Sequence, residues 1–141
     1  MPSASNEIVI NRPVSEVFEF LSKPENDPKW RHGILEISRI SGIGTGSKYQ
    51  QVMSGPGGRR MSVDIEITDS QKDMLITFHA TSGPIRPKGA YVFKDDGGNT
   101  RLQLMLEVEL KGVKRLMGPM VQKVMTLEVS SLAKLKQVLE V

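Results

Sequence analysis

The last quarter of the chain, KRLMGPMVQKVMTLEVSSLAKLKQVLE at residues 114–140, decides the fold. At about 100° per residue its apolar side chains fall within roughly half of a helix circumference. They are Leu116, Met117, Met120, Val121, Val124, Met125, Leu127, Leu132, Leu135, Val138 and Leu139. The stretch predicts one long helix that buries a wide face against the rest of the chain. We expect a cavity between that helix and the layer it packs on.

The residues before this helix predict strands and two short helices. After a flexible tail at 1–6 we expect a strand at 7–11, a helix beginning near Pro13, and a second helical piece at 24–30. Six strands follow at 34–40, 47–53, 61–68, 73–81, 88–94 and 100–110. In the last of these, leucine and valine alternate with polar residues, which is typical of an antiparallel sheet with one buried face.

Segregated helices and strands in this order indicate an α+β fold rather than a doubly wound parallel sheet. We predict a helix-grip: a curved antiparallel sheet of about seven strands around a long C-terminal helix, with two short helices after strand 1. Residues 7–141 would form one domain, as the length of 141 residues also suggests.

Composition excludes several classes of function. The net charge is +3 and the basic residues are scattered, apart from Arg59 and Arg60, so nucleic acid is not an expected partner. There is no cysteine, and His32 and His79 stand alone, so no metal site and no cofactor are predicted. The N-terminus lacks signal-peptide features and no long apolar run is present, so we expect a cytoplasmic protein without an integral membrane segment, as monomer or homodimer.

Glu128 is the sharpest candidate for chemistry. It is the only acidic residue in the middle of the apolar arc of the long helix. Since a buried carboxylate without a partner costs several kcal/mol, Glu128 should be paired, hydrated in a cavity, or functional. It would serve as a general acid/base or anchor a ligand's polar group. The alternative is a structural bond to Tyr49, Tyr91 or an arginine, or a helix rotated so that Glu128 reaches the rim.

Aromatic and sulfur-containing side chains supply candidates for a pocket wall. Ordinary core packing is the alternative for each of them. Phe78 is the expected inward neighbour of an outward His79, while His32 would stand near the entrance. The predicted ligand-binding set is Phe18, Trp30, Tyr49, Met53, Phe78, Tyr91, Met117, Val121, Val124 and Glu128.

Glycine-rich segments punctuate the strands. Residues 42–46, GIGTG, imitate part of a dinucleotide-binding loop, but a strand follows them and no helix N-terminus is available for a phosphate. Residues 54–58 and 82–84 would form a lid over the cavity mouth or simple hairpin loops.

Several local stretches resemble the SRPBCC superfamily, the helix-grip group of START-like and polyketide cyclase/dehydrase-like proteins. They are IVINRPVSEVF at 8–18, LSKPENDPKW at 21–30, GTG at 44–46, GNTR at 98–101 and LAKLK at 132–136. The resemblance implies the helix-grip fold. It names no reaction and no catalytic set, because this fold hosts carriers, hydrolases and cyclases alike.

Three functions remain open at this point. The first is binding or transport of a small hydrophobic ligand, such as a lipid, polyketide or isoprenoid-like compound, in the internal cavity. The second is a cyclase, dehydratase or hydrolase of polyketide-like substrates with Glu128 as acid/base. The third is a protein-interaction or stress-related module, which a cavity filled by side chains would favour.

Overall fold

The computed structural model describes residues 2–54 and 58–141. Its strands are β1 Ser3–Ile10, β2 Ile34–Ser41, β3 Lys48–Ser54, β4 Arg60–Gln71, β5 Leu75–Ala80, β6 Lys88–Asp96 and β7 Asn99–Glu107. Its helices are α1 Val14–Leu21, α2 Gly118–Ser130 and α3 Leu132–Leu139, with 3-10 segments at Pro24–Lys29 and Gly112–Met117. The predicted loop at 54–58 falls mostly outside the described residues.

The seven strands form one antiparallel sheet in the order β1-β7-β6-β5-β4-β3-β2. Each strand from β2 to β7 pairs with its sequence neighbour, whereas β1 closes the sheet on β7. This is the predicted helix-grip, with two short helical pieces after the first strand and the long helical region at the end of the chain.

The inner face of the sheet carries the core. One row runs across it from Ile76 through Tyr91 to Leu104, and all three side chains are buried. The α2 and α3 helices lie against β1, and α2 also reaches β7, so the helical region covers one edge of the sheet. The 3-10 segment Pro24–Lys29 packs on β2 at the other edge.

The C-terminal helical region is divided, whereas the sequence predicted one helix over 114–140. A 3-10 segment comes first, and α2 begins at Gly118 with Pro119 in its first turn, where the missing proline N–H is tolerated. At Ser131 the N–H bonds to the carbonyl of Glu128 at 3.1 Å, a tighter 3-10-type turn. The Leu135 N–H then bonds to Ser131 O at 3.1 Å, which resumes the helix as α3.

The N-terminal strand begins earlier than predicted. Residues 3–6, assigned to a flexible tail, belong to β1, where Ser3 lies opposite Glu107. The Gln122 side chain fixes the same end of the strand, because its amide group accepts from the Ser3 N–H at 3.0 Å and donates to Ser3 O at 2.6 Å. The prediction of a flexible tail was therefore wrong for residues 3–6. Their side chains are small and polar and give no strand pattern, but their backbone groups pair with β7.

Side chains come close to the backbone at Gly89, in the middle of the inner face of the sheet. A Cβ at this position would come within 2.7 Å of the Phe78 ring, the Leu106 side chain and the Met105 carbonyl oxygen. The absence of a side chain lets Phe78 lie over the β6 backbone, where its ring centroid is 5.4 Å from that of Tyr91.

Candidate functional site

A buried cluster of charged side chains joins the segment after α1 to the C-terminal helix. The Arg31 guanidinium donates from Nη1 to Asp27 Oδ2 at 2.9 Å and to Gln51 Oε1 at 3.3 Å. Its Nε donates to Glu128 Oε1 in a second ion pair. Side-chain exposures are 14% for Arg31, 14% for Glu128 and 8% for Asp27, so water screens these charges only weakly. We call Asp27, Arg31 and Glu128 the charged cluster.

Electrostatics set the protonation of the cluster and of its neighbour Tyr91. Burial raises the pKa of Asp27 to about 6, although the Arg31 guanidinium opposes the shift. Burial also raises the pKa of Tyr91, and the negative charge of Asp27 adds to that effect. The Arg31 pKa is raised by both carboxylates, although its own burial opposes this. Tyr91 therefore keeps its hydroxyl proton at neutral pH, and Asp27 titrates only slightly below neutrality.

Arg31 is the functional candidate that sequence reasoning missed. Glu128 was predicted to need a partner, and an arginine was among the options, but Arg31 lies 97 residues away in the chain. One signal was present in the sequence: Asp27 and Arg31 stand four residues apart, a spacing that brings opposite charges together on a helical turn.

Aromatic side chains surround the inner end of the cluster. Trp30 meets Tyr91 edge-on with ring centroids 6.3 Å apart, and Phe18 meets Phe93 edge-on at 5.2 Å. The Nε1 atom of Trp30 is buried and has no hydrogen-bond partner among the described residues. An apolar wall therefore stands next to charges and one unused donor.

The predicted ligand-binding residues divide by burial. Phe18, Trp30, Tyr49, Tyr91 and Val121 are buried core residues. Met53, Phe78, Met117 and Glu128 are half-buried, and Val124 is exposed to 56%. His79 lies on the outer face and the His32 side chain is exposed, while the His32 N–H bonds to Ser131 Oγ at 3.3 Å.

The apolar arc of α2 is only half covered. Val121, Met125 and Val129 are buried against the sheet, whereas Met120, Val124 and Leu127 are exposed to 50%, 56% and 54%. At about 100° per residue, Val124 lies between Glu128 on one side and Met120 and Leu127 on the other. The exposed apolar side of α2 is therefore adjacent to the charged cluster. We call Met120, Val124 and Leu127 the open face of α2.

Two hollows among the described residues lie away from the space between the sheet and the helix. The larger, about 630 Å³, is on the outer face of β1 and β4–β7, beside Thr77, His79, Lys88, Ala90 and Met105. The other, about 550 Å³, lies between Pro2 and the start of the 3-10 segment Gly112–Met117. Neither of these two hollows is the cavity that the sequence predicted between the sheet and the C-terminal helix.

Within the described residues, no group of three or more histidine, aspartate or glutamate side chains is arranged to hold a metal ion. The helices described there are also too short or too polar to cross a bilayer.

The chain belongs to the family described as polyketide cyclase/dehydrase and lipid transport, which it matches over residues 1–140. This confirms the resemblance to SRPBCC proteins. No curated protein sequence matches the chain.

Solved structures share the fold at low sequence identity. A protein of Thermus thermophilus is 23% identical, with a TM-score of 0.77 over 96% of this chain and 95% of its own. A START superfamily protein from Mycobacterium smegmatis is 18% identical, with a TM-score of 0.74 over 98% and 94%. The di-domain ARO/CYC protein BexL is 17% identical, with a TM-score of 0.79 over 99% of this chain and 47% of BexL. At such identities the likeness establishes the fold alone.

Proposed function

We propose that this protein binds a small apolar molecule, such as a lipid, polyketide or isoprenoid-like compound, against the open face of α2. The observation that carries the proposal is the half-covered arc: three large apolar side chains remain about half exposed on a helix whose other apolar residues are buried. Clustered apolar exposure of this kind marks binding surfaces. The family's description, which includes lipid transport, supports the same class of ligand.

Other incompletely buried apolar side chains lie near one end of the sheet and just before α2. Met53 of β3, Val63 of β4 and Ile85 of the β5–β6 loop are partly buried, as is Met117 just before α2. Val63, Ile85 and Met117 also pack on the core. These side chains leave further apolar surface available to a ligand. A ligand long enough to reach them from the open face of α2 would bury more apolar area and gain affinity from it.

The charged cluster gives the site a polar end. Glu128 borders the open face and is held by Arg31, so its second carboxylate oxygen is available to accept a hydrogen bond from a ligand hydroxyl. Fixed polar groups at the end of an apolar surface orient a ligand, while the apolar area supplies the affinity.

Native mass spectrometry of the purified protein, with extraction of any bound molecule, tests the proposal. We expect a stoichiometric apolar adduct, or a raised melting temperature with members of a lipid and polyketide panel. Val124→Glu should weaken binding about tenfold or more, because it places a charge on the apolar surface. Met74→Glu is the matched control, since Met74 is exposed to 61% and lies in the β4–β5 turn.

The proposal fails if the protein is ligand-free and no panel member raises its melting temperature. A protein-interaction module would then be the better account of the exposed apolar side chains on α2. Equal loss of binding in the Met74 and Val124 variants would also contradict it.

A second candidate is a cyclase or dehydratase acting on a polyketide-like molecule, with Glu128 as acid/base. The observation that favours it is the pairing of two carboxyl groups on one guanidinium, with the pKa of Asp27 raised to about 6. Asp27, the neighbour of Glu128 on the same guanidinium, titrates in the range that suits general acid–base work. Turnover that is lost in Glu128→Gln while ligand affinity stays unchanged would support catalysis; binding without turnover of any bound polyketide would exclude it.

A further inference from the structure

Charge is unevenly distributed between the two ends of the sheet. One end of the sheet is formed by the last residues of β3, β5 and β7 and by the first residues of β1, β4 and β6. The 3-10 segment Gly112–Met117 lies at the same end, because Lys114 Nζ donates to Pro84 O at 2.8 Å. The basic residues at this end are Arg59, Arg60, Arg86, Lys88, Lys111, Lys114 and Arg115, against the acidic Glu36, Glu107 and Glu109. We call this the basic end.

The basic end carries more positive charge than it would if the chain's net charge of +3 were spread evenly over the surface. Three of its basic residues pair with the three carboxylates, in the pairs Arg60–Glu36, Lys88–Glu107 and Lys111–Glu109. Arg59, Arg86, Lys114 and Arg115 form no ion pair within the described residues. At the opposite end, the turns at 69–74 and 94–98 hold four aspartates and two lysines.

Two apolar side chains protrude from the basic end. Val113 and Leu116, both in the 3-10 segment, are exposed to 84% and 86%, among the most exposed large apolar residues of the described chain. They alternate with Lys111, Lys114 and Arg115. Apolar side chains interspersed with cations, with no acidic residue from Gly112 to Leu127, have the composition that binds an anionic lipid surface.

We propose that the basic end docks on the surface of an anionic bilayer, with Val113 and Leu116 entering the interface and the unpaired basic residues facing lipid phosphates. The occupant is a membrane rather than a protein groove, because the apolar part is small and isolated while the charge spreads over several loops. The proposal stands on this surface alone and does not depend on ligand binding at the open face of α2.

Co-sedimentation of the full chain with vesicles tests the docking. We expect binding to vesicles in which about a third of the phosphatidylcholine is replaced by phosphatidylglycerol, and much weaker binding to phosphatidylcholine alone. Raising the salt concentration should release the protein, because exposed charges are screened over about 10 Å at 0.1 M.

Paired variants locate the contact. Val113→Ser with Leu116→Ser should weaken vesicle binding about tenfold, and Arg86→Gln with Arg115→Gln should weaken it by a similar factor. Ile43→Ser is the matched control, because Ile43 is also exposed to 84% but lies in the β2–β3 turn. Melting temperatures should stay unchanged in all of these variants, since each substituted side chain is exposed or only half-buried.

Equal binding to neutral and anionic vesicles, or an Ile43→Ser variant as weak as the double serine variant, would overturn the proposal. So would a dimer in sedimentation equilibrium that Val113→Ser with Leu116→Ser dissociates, because the apolar tip would then be covered by a second copy. Failure of docking leaves the ligand proposal intact, since the Val124→Glu test is made without vesicles.

Discussion

The two halves of the C-terminal helical region differ in what they do with the same amphipathic pattern. In α3, Leu132 and Leu135 are completely buried against the β1 edge of the sheet. In α2 and the preceding 3-10 segment, Leu116 is exposed to 86% and Val124 to 56%. The helical periodicity predicted that all of these residues are buried, but only those that face the sheet are buried.

The difference separates residues that hold the fold from residues that remain available for binding. An apolar side chain that is half exposed contributes little to stability, because little of its surface leaves water on folding. The charged cluster lies at the junction, where Glu128 ends the open face and Ser131 starts the turn into α3. Substitutions on the two sides, and at the junction, should therefore behave differently.

The largest effect is expected at the junction. Arg31→Met leaves Asp27 and Glu128 buried without their cation, which should lower the free energy of unfolding by about 3–5 kcal/mol. Urea denaturation measures it. The matched control is Arg39→Met, which breaks the more exposed pair with Glu25 and should cost far less, because water screens that pair. Similar costs for both variants would show that the buried pair does not hold α2 in place.

The second largest loss of stability is expected in α3, the buried half of the C-terminal helical region. Leu135→Ala should lower the free energy of unfolding by about 3 kcal/mol, because it leaves a cavity at a fully buried site. Leu127→Ala, the same change on the open face, should cost less than about 1 kcal/mol. Chemical denaturation of both variants compares the halves directly, and equal losses would mean that the open face is covered in solution.

The pH dependence of stability should report Asp27. Its pKa is raised from 3.8 to about 6 on folding, so the folded state holds this proton more tightly. Stability from this group is therefore greatest below about pH 4 and falls as the pH rises through 6, by an amount on the order of 2–3 kcal/mol. Denaturation midpoints across this range should show the fall in the native protein and a flatter profile in Asp27→Asn. An unchanged profile in that variant would assign the titration elsewhere.

A smaller loss of stability is expected at Gly89, where Phe78 comes close to the backbone. Gly89→Ala forces the new methyl group against Phe78, Leu106 and the Met105 carbonyl, which should cost about 1–3 kcal/mol. Thermal unfolding measures it. Combining the change with Phe78→Ala should cost less than the sum of the two single changes, because the smaller side chain relieves the clash. Strict additivity would show that the Phe78 ring does not press on Gly89.

The sequence predicted the sheet and its partner helix well because both rest on periodicity, which local residues determine. It did not predict that β1 begins at Ser3, because small polar residues hide a backbone that pairs with β7. It placed Glu128 on the inner side but did not single out Arg31, since a contact between residues 97 apart leaves no local pattern. Nor did it predict that the Phe78 ring lies over Gly89, because that depends on side-chain packing across strands.

Methionine methyl groups report on whether the open face of α2 binds an apolar molecule. Met120 lies on the open face and Met117 borders it, Met105 lines the hollow on the outer sheet face, and Met74 lies in the β4–β5 turn. In a methyl-labelled NMR titration with a fatty acid or a flat aromatic polyketide, we predict that the Met117 and Met120 signals shift together while those of Met74 and Met105 stay in place. Shifts confined to Met105 would move the site to the outer hollow and contradict the account.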